Sequence, residues 1–145
     1  MSDLKLRALD AEDLAILSAH LQDAVAKIGD LIYRPAERRF LGVVNRFAWE
    51  SAAAKGGGHE RRRAAFHFDR VVSVKAQGLD RGKPDAVVAL LAIRFEPASA
   101  DEPGGVIDLV FSGVATVRLT VECSEAQIAD LGAAWQAAAK PDHKI

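Results

Sequence analysis

The spacing of apolar positions changes several times along this 145-residue chain, and each change predicts an element. Leu4, Leu6 and Ala8 alternate with Lys5, Arg7 and Leu9, a period of two that predicts a short strand over residues 4–9. The period then lengthens. Leu14, Leu17, Leu21, Val25 and Ile28 recur at helical spacing, Asp10 is placed to cap, Glu12 and Asp13 suit the positive end of the dipole, and Gly29 ends the run. "DLIYR", "PAER" and "RFLGVVNRFAW" predict a hairpin whose second strand is the longer. Residues 50–60, "ESAAAKGGGHE", have no period and read as a glycine-rich connector rather than a lid.

From Arg62 the alternation returns. Ala64, Phe66, Phe68, Val72, Val74 and Ala76 share one face over residues 62–77, with Arg70 as the exception on it. "LDRGKPD" turns into "AVVALLAIRFE", apolar on both faces and therefore expected at the centre of the sheet. "VIDLVFSGVATVRLTVE" reads as two strands divided at Gly113. Ser124 and Gln127 have the spacing of a capping box, with Cys123 positioned to staple on Ile128. They predict a helix from Glu125 whose stripe of Ile128, Leu131, Trp135 and Ala138 covers the sheet and ends near Lys140 and Pro141. Hairpin-length connections argue against a parallel sheet. The expected fold class is α+β over residues 1–145: a curved antiparallel sheet with an N-terminal and a C-terminal helix, in an order that resembles a pleckstrin-homology-like roll. That analogy carries no function.

Composition narrows the function classes. Half the residues are apolar and 27% are charged, the balance of a globular protein. One cysteine allows no internal disulfide and no cysteine-based zinc site, and it fits a reducing, cytoplasmic compartment. No stretch has the make-up of an export signal or a membrane span. The net charge of −1 conceals a polarity: residues 34–70 hold nine Lys and Arg against four Asp and Glu. Such a division can steer an anionic partner, or it can match one face of a subunit to another.

"HERRRAAFHFDR", residues 59–70, is the richest stretch in candidate chemistry. Arg62, Arg63, His67, Asp69 and Arg70 are the residues a small anionic metabolite would use, and Asp69, two positions from His67, could orient it as an acid/base dyad. A metal would need His59 or His20 as a third ligand, so the expected metal set is empty. Phe66 and Phe68 share their face with valines, which predicts core rather than base stacking, and a slightly acidic chain disfavours nucleic acid. "KGGGH" lacks the Gly-Lys-Ser/Thr ending of a phosphate-binding loop, and no cofactor fingerprint is present. Arg94 interrupts an apolar strand, with Asp108 as a candidate partner; Trp49 and Trp135 are expected core anchors. The leading expectation is a non-enzymatic binding or protein-interaction module that self-associates. Its rival is a small enzyme or binder of an anionic metabolite built on residues 61–70.

"LKLRALDAEDLAILSAHLQDAV", "ERRFLGVVNRFAWE" and "GVATVRLTVECSEAQIADLGAAW" together resemble a family of short uncharacterised alphaproteobacterial proteins, a domain of unknown function, over nearly the whole chain. The resemblance implies no catalytic residue and no cofactor. It implies a genomic setting beside histidinol dehydrogenase, and with it a cytoplasmic housekeeping role.

Overall fold

A computed structural model describes residues 5–47 and 61–131, which form one α-helix and ten strands paired into a single open sheet. Strand β1 (Lys5–Ala8) leads into helix α1 (Ala11–Leu21). Asp10 caps it as expected, its Oδ1 accepting from the Asp13 N–H at 2.7 Å, and Leu14, Leu17 and Leu21 form the buried stripe. The helix stops earlier than the spacing of apolar residues predicts. Asp23 adopts φ 66 and turns the chain, so Val25 and Ile28 leave the helical stripe. Strand β2 (Val25–Lys27) takes their place, because Val25 there pairs with two neighbours at once: Asn45 on one side and Ala89 on the other. A β-branched residue suits a paired strand better than a helix end.

The expected hairpin is present as β3 (Leu31–Arg34) and β4 (Arg39–Phe47), joined by a 3-10 turn at Pro35–Glu37. Beyond the undescribed segment come β5 (Arg61–Phe68), β6 (Val71–Gln77), β7 (Val87–Pro97), β8 (Gly105–Phe111), β9 (Ala115–Val121) and β10 (Ala126–Asp130). The sheet runs β1-β10-β5-β4-β2-β7-β8-β9-β6, with β3 also on β4. Every pairing is antiparallel. The apolar segment expected at the centre is β7, which with the three-residue β2 joins the two halves of the sheet.

Two expectations need correction. The strand read over residues 62–77 is two strands: Arg70, the residue that broke the apolar face, adopts φ 58, and there the chain leaves β4 and crosses to pair with β9. The helix expected from Glu125 is, in its described part, strand β10. Ile128 and Ala126 point into the core from a strand inserted between β1 and β5, in register with four residues of β1 and five of β5, so it offers ladder partners to both neighbours where a helix would satisfy only itself. Ser124, expected as the cap, is buried with its Oγ unbonded, and Gln127 bonds a side chain of β5 instead of closing a capping box. The analogy with a pleckstrin-homology-like roll rested on that closing helix. Trp135 and the end of the expected stripe, like Trp49 and the glycine-rich connector of residues 50–60, lie outside the described residues.

One core cluster draws on both halves of the sheet: Phe40, Phe66, Phe68 and Ile128 from the first, Leu90, Ile107, Leu109 and Leu119 from the second, and the α1 leucines. The antiparallel α+β assignment stands. The β8–β9 hairpin divides near Gly113, as expected, but the residue at its tip is Val114, 95% exposed at φ 61. A β-branched side chain in the left-handed region costs roughly 1–2 kcal/mol and this one has no packing to offset it. Val114→Gly is therefore expected to raise stability by about 1 kcal/mol, read as an upward shift in the urea midpoint at unchanged slope.

Candidate functional site

Strand β5 lies between β4 and β10, and its alternation splits the candidate residues between two faces. Ala64, Phe66 and Phe68 are buried in the core. Arg62 has the same parity and stands opposite Arg46, whereas Arg63, opposite Asn45, and His67, opposite Leu41 and Gln127, belong to the outer face. Arg70 is carried away by the crossing to β6. Of the five, His67 and Asp69 are brought together.

His67 is held on both sides. Its Nε2 lies 2.9 Å from Gln127 Oε1 on β10. Its Nδ1 is 3.2 Å from Asp69 Oδ2, an ionic contact in distance but without hydrogen-bond alignment. Asp69 Oδ1 accepts in turn from Arg39 Nε at 2.7 Å. The chain Gln127–His67–Asp69–Arg39 thus spans β10, β5 and the start of β4. A general base needs a nitrogen facing its substrate; here each ring nitrogen faces a protein group.

The next layer of charge lies where the β5–β6 and β9–β10 connections run against each other. The Asp69 N–H donates to Glu125 O, the Glu122 N–H to Arg70 O and the Val71 N–H to Arg38 O, at 2.9, 3.0 and 2.9 Å. Around this backbone lattice Arg38 meets Glu122 at 3.0 Å, and Arg70 and Arg7 meet Glu125 at 3.3 and 3.6 Å. Pairs this exposed contribute little individually. Their joint consequence is electrostatic: acids at 122, 125 and 130 offset part of the positive excess of residues 34–70 inside the molecule.

Asp130 does so in the interior. Its Oδ1 and Oδ2 accept from Arg46 Nε and Nη2, each at 2.8 Å, with the two side chains 0% and 1% exposed. The bidentate geometry is the strong form of this bond, and burial makes each partner indispensable to the other. Sequence reasoning passed over both residues, although a signal existed. Arg46 follows Phe40, Gly42 and Val44 on core parity, and Asp130 follows Ala126 and Ile128. On the second half of the sheet Asp108 is taken by Arg118, at 2.8 and 3.0 Å, which raises the guanidinium pKa. Arg94 stands opposite Asp108 in register and stays exposed.

The family model described as "Protein of unknown function (DUF2948)" matches residues 4–143. The chain belongs to the DUF2948 family. Comparison with curated proteins and with solved structures gave no match. Within this DUF2948 chain, no group of three His, Cys, Asp or Glu side chains among the described residues is placed to hold a metal ion, and no described helix is long and apolar enough to cross a membrane.

Among the described residues the DUF2948 sheet is open, and its two ends differ. β1 is four residues long and carries Lys5 and Arg7, features that discourage another strand from adding to it. β6 is seven residues long, pairs with β9 alone, and exposes Ser73, Lys75, Ala76 and Gln77 beyond a bulge at its start. Among the described residues no strand occupies its other side. An unpaired edge of this length is a template for main-chain hydrogen bonding to a further chain.

Proposed function

We propose that this protein is a non-enzymatic protein-interaction module that self-associates by adding the β6 edge of one copy to that of another. The observation that carries the reading is the open edge at β6, whose one charge, Lys75, faces Ser73 rather than itself when two antiparallel copies are centred on Val74. The ion pairs that engage Arg38, Arg39, Arg46 and Arg70 within the chain support backbone pairing, not charge polarity, as the source of attraction. The single cysteine supports a reducing, cytoplasmic setting.

Sedimentation velocity at rising concentration is expected to show monomer passing into dimer, with little dependence on salt. The double variant Ser73→Lys/Gln77→Lys places like charges opposite each other in an antiparallel edge pair and is expected to remain monomeric while folding normally. A strict monomer at every concentration, or a dimer indifferent to the lysines, would overturn the proposal.

A second reading keeps an anionic metabolite on residues 61–70. It draws on Arg61 and Arg63, both exposed at the start of β5, where Arg61 Nη1 also donates to Asn45 O at 3.3 Å. A single ligand there must do without Arg62, on the opposite face, and Arg70, engaged by Glu125 at the other end of the strand. Loss of phosphate- or citrate-induced thermal stabilisation in Arg61→Gln/Arg63→Gln would support it.

A further inference from the structure

Between the two halves of the sheet lies a cavity of about 190 Å³. Phe40 of β4 and Leu31 of β3 form one wall, Val74 of β6 and Val117 of β9 the other, and Leu79 and Pro84 of the β6–β7 connection roof it. The lining carries a single charged side chain, Arg81. Among the described residues no carboxylate comes within 4.0 Å of that guanidinium. Its neighbour Asp80 turns back to accept the Gly82 N–H at 2.9 Å, and Asp85 reaches out to Lys27 at 4.0 Å. A half-open pocket lined mainly by apolar side chains, with one cation unneutralised among the described residues, is complementary to a ligand with an apolar body and one negative end.

We infer that this cavity is a binding site for a small monocarboxylic acid with an aromatic or branched apolar body, its carboxylate on Arg81. The walls are built before any ligand arrives. The roof is tied down by the Lys83 and Ala86 N–H groups, which donate to Asp80 O and Lys83 O at 3.0 and 3.1 Å. It is also fastened to the 3-10 turn after β2, where the Ile28 and Gly29 N–H groups each donate at 2.9 Å, to Ala86 O and Pro84 O. Gly29 permits that seat: a Cβ there would stand 3.0 Å from Pro84 Cβ and 3.2 Å from Pro84 O. Preorganisation of this kind lowers the ordering cost of binding. The volume sets the size of the occupant. A closed apolar cavity of about 150 Å³ accepts benzene, so a body of roughly that size, with its carboxylate outside at the rim, fits. The site is independent of the charge cluster around His67 and Asp69 and does not rest on self-association.

Calorimetric titration and amide chemical-shift mapping with phenylacetate test the assignment on the full chain. Saturable binding is expected, with shifts concentrated at Leu31, Phe40, Leu79 and Val117. Phenylacetamide, of equal shape and no charge, is expected to bind about tenfold more weakly or less, because it forfeits the charge-assisted bonds to Arg81. Arg81→Gln, an exposed position whose loss leaves the fold unaffected, is expected to remove that preference. Val74→Phe fills the chamber and is expected to abolish binding with Arg81 intact. No saturation by phenylacetate, 3-phenylpropionate or isovalerate at millimolar concentration would overturn the inference. So would equal affinity for acid and amide, or equal binding of inorganic phosphate.

Discussion

Asp130→Ala is expected to destabilise the protein by about 3–5 kcal/mol, since it leaves the Arg46 guanidinium charged, buried and without its bidentate carboxylate. For a chain of this length that loss lowers the melting temperature by roughly 10 °C. The reciprocal change, Arg46→Met, takes the bidentate guanidinium from the buried carboxylate and is expected to cost a similar amount. The double variant Arg46→Met/Asp130→Leu removes both charges and substitutes apolar volume, so it is expected to recover most of the loss. Differential scanning calorimetry on the four proteins separates this account from simple loss of packing: additive single-mutant penalties in the double variant would contradict it.

Gly42→Ala carries the second large effect. Gly42 faces Phe66 across the β4–β5 ladder, and a Cβ at that position would stand 2.6 and 2.7 Å from two ring carbons of Phe66 and 2.9 Å from Leu31 Cδ2. Phe66 has little room to yield, being held at 5.8 Å by the Phe68 ring and at 6.4 Å by that of Phe40. A strand glycine replaced by alanine ordinarily gains about 0.5–1 kcal/mol. Here the sign is expected to reverse, with a loss of about 1–3 kcal/mol from overpacking. Combining Gly42→Ala with Phe66→Leu should return part of it. Urea unfolding decides the matter, and a more stable Gly42→Ala protein would refute the contact.

The strands were most legible where a core face alternates with a wet one over seven or eight residues. The period of two in residues 61–68, 105–111 and 115–121 survives as burial alternation, and Phe66 and Phe68 are core, as their neighbours implied. Helix ends were less legible because a helical stripe and a strand can share residues. Leu14, Leu17 and Leu21 continue to Val25 at the correct spacing, yet two long strands flank position 25 and compete for it. The same ambiguity governs residues 124–131, where a capping-box spacing coincides with an Ala126–Ile128–Asp130 alternation, and tertiary pairing on both sides outweighs local signals. The candidate site suffered from a related blindness. Residues 62–70 are contiguous in sequence, but alternation sends neighbours to opposite faces, and the acid that engages Arg70, like those that engage Arg38 and Arg46, comes from positions 122–130. The cavity behind Arg81 had no linear signature, since its lining comes from β3, β4, β6, β9 and a turn.

The place of β10 in the sheet has a consequence for how the chain is made. Among the described residues β1 pairs with β10 alone, and β10 also covers Ala64–Phe68 on the edge of β5 that β4 leaves free. The last described strand therefore completes the first, across more than a hundred residues of intervening chain. While a ribosome is still adding residues ahead of Ala126, β5 presents an unsatisfied edge and the core lacks Ile128. At roughly 5–20 residues per second that exposure lasts for seconds, and the slot is filled only by long-range closure.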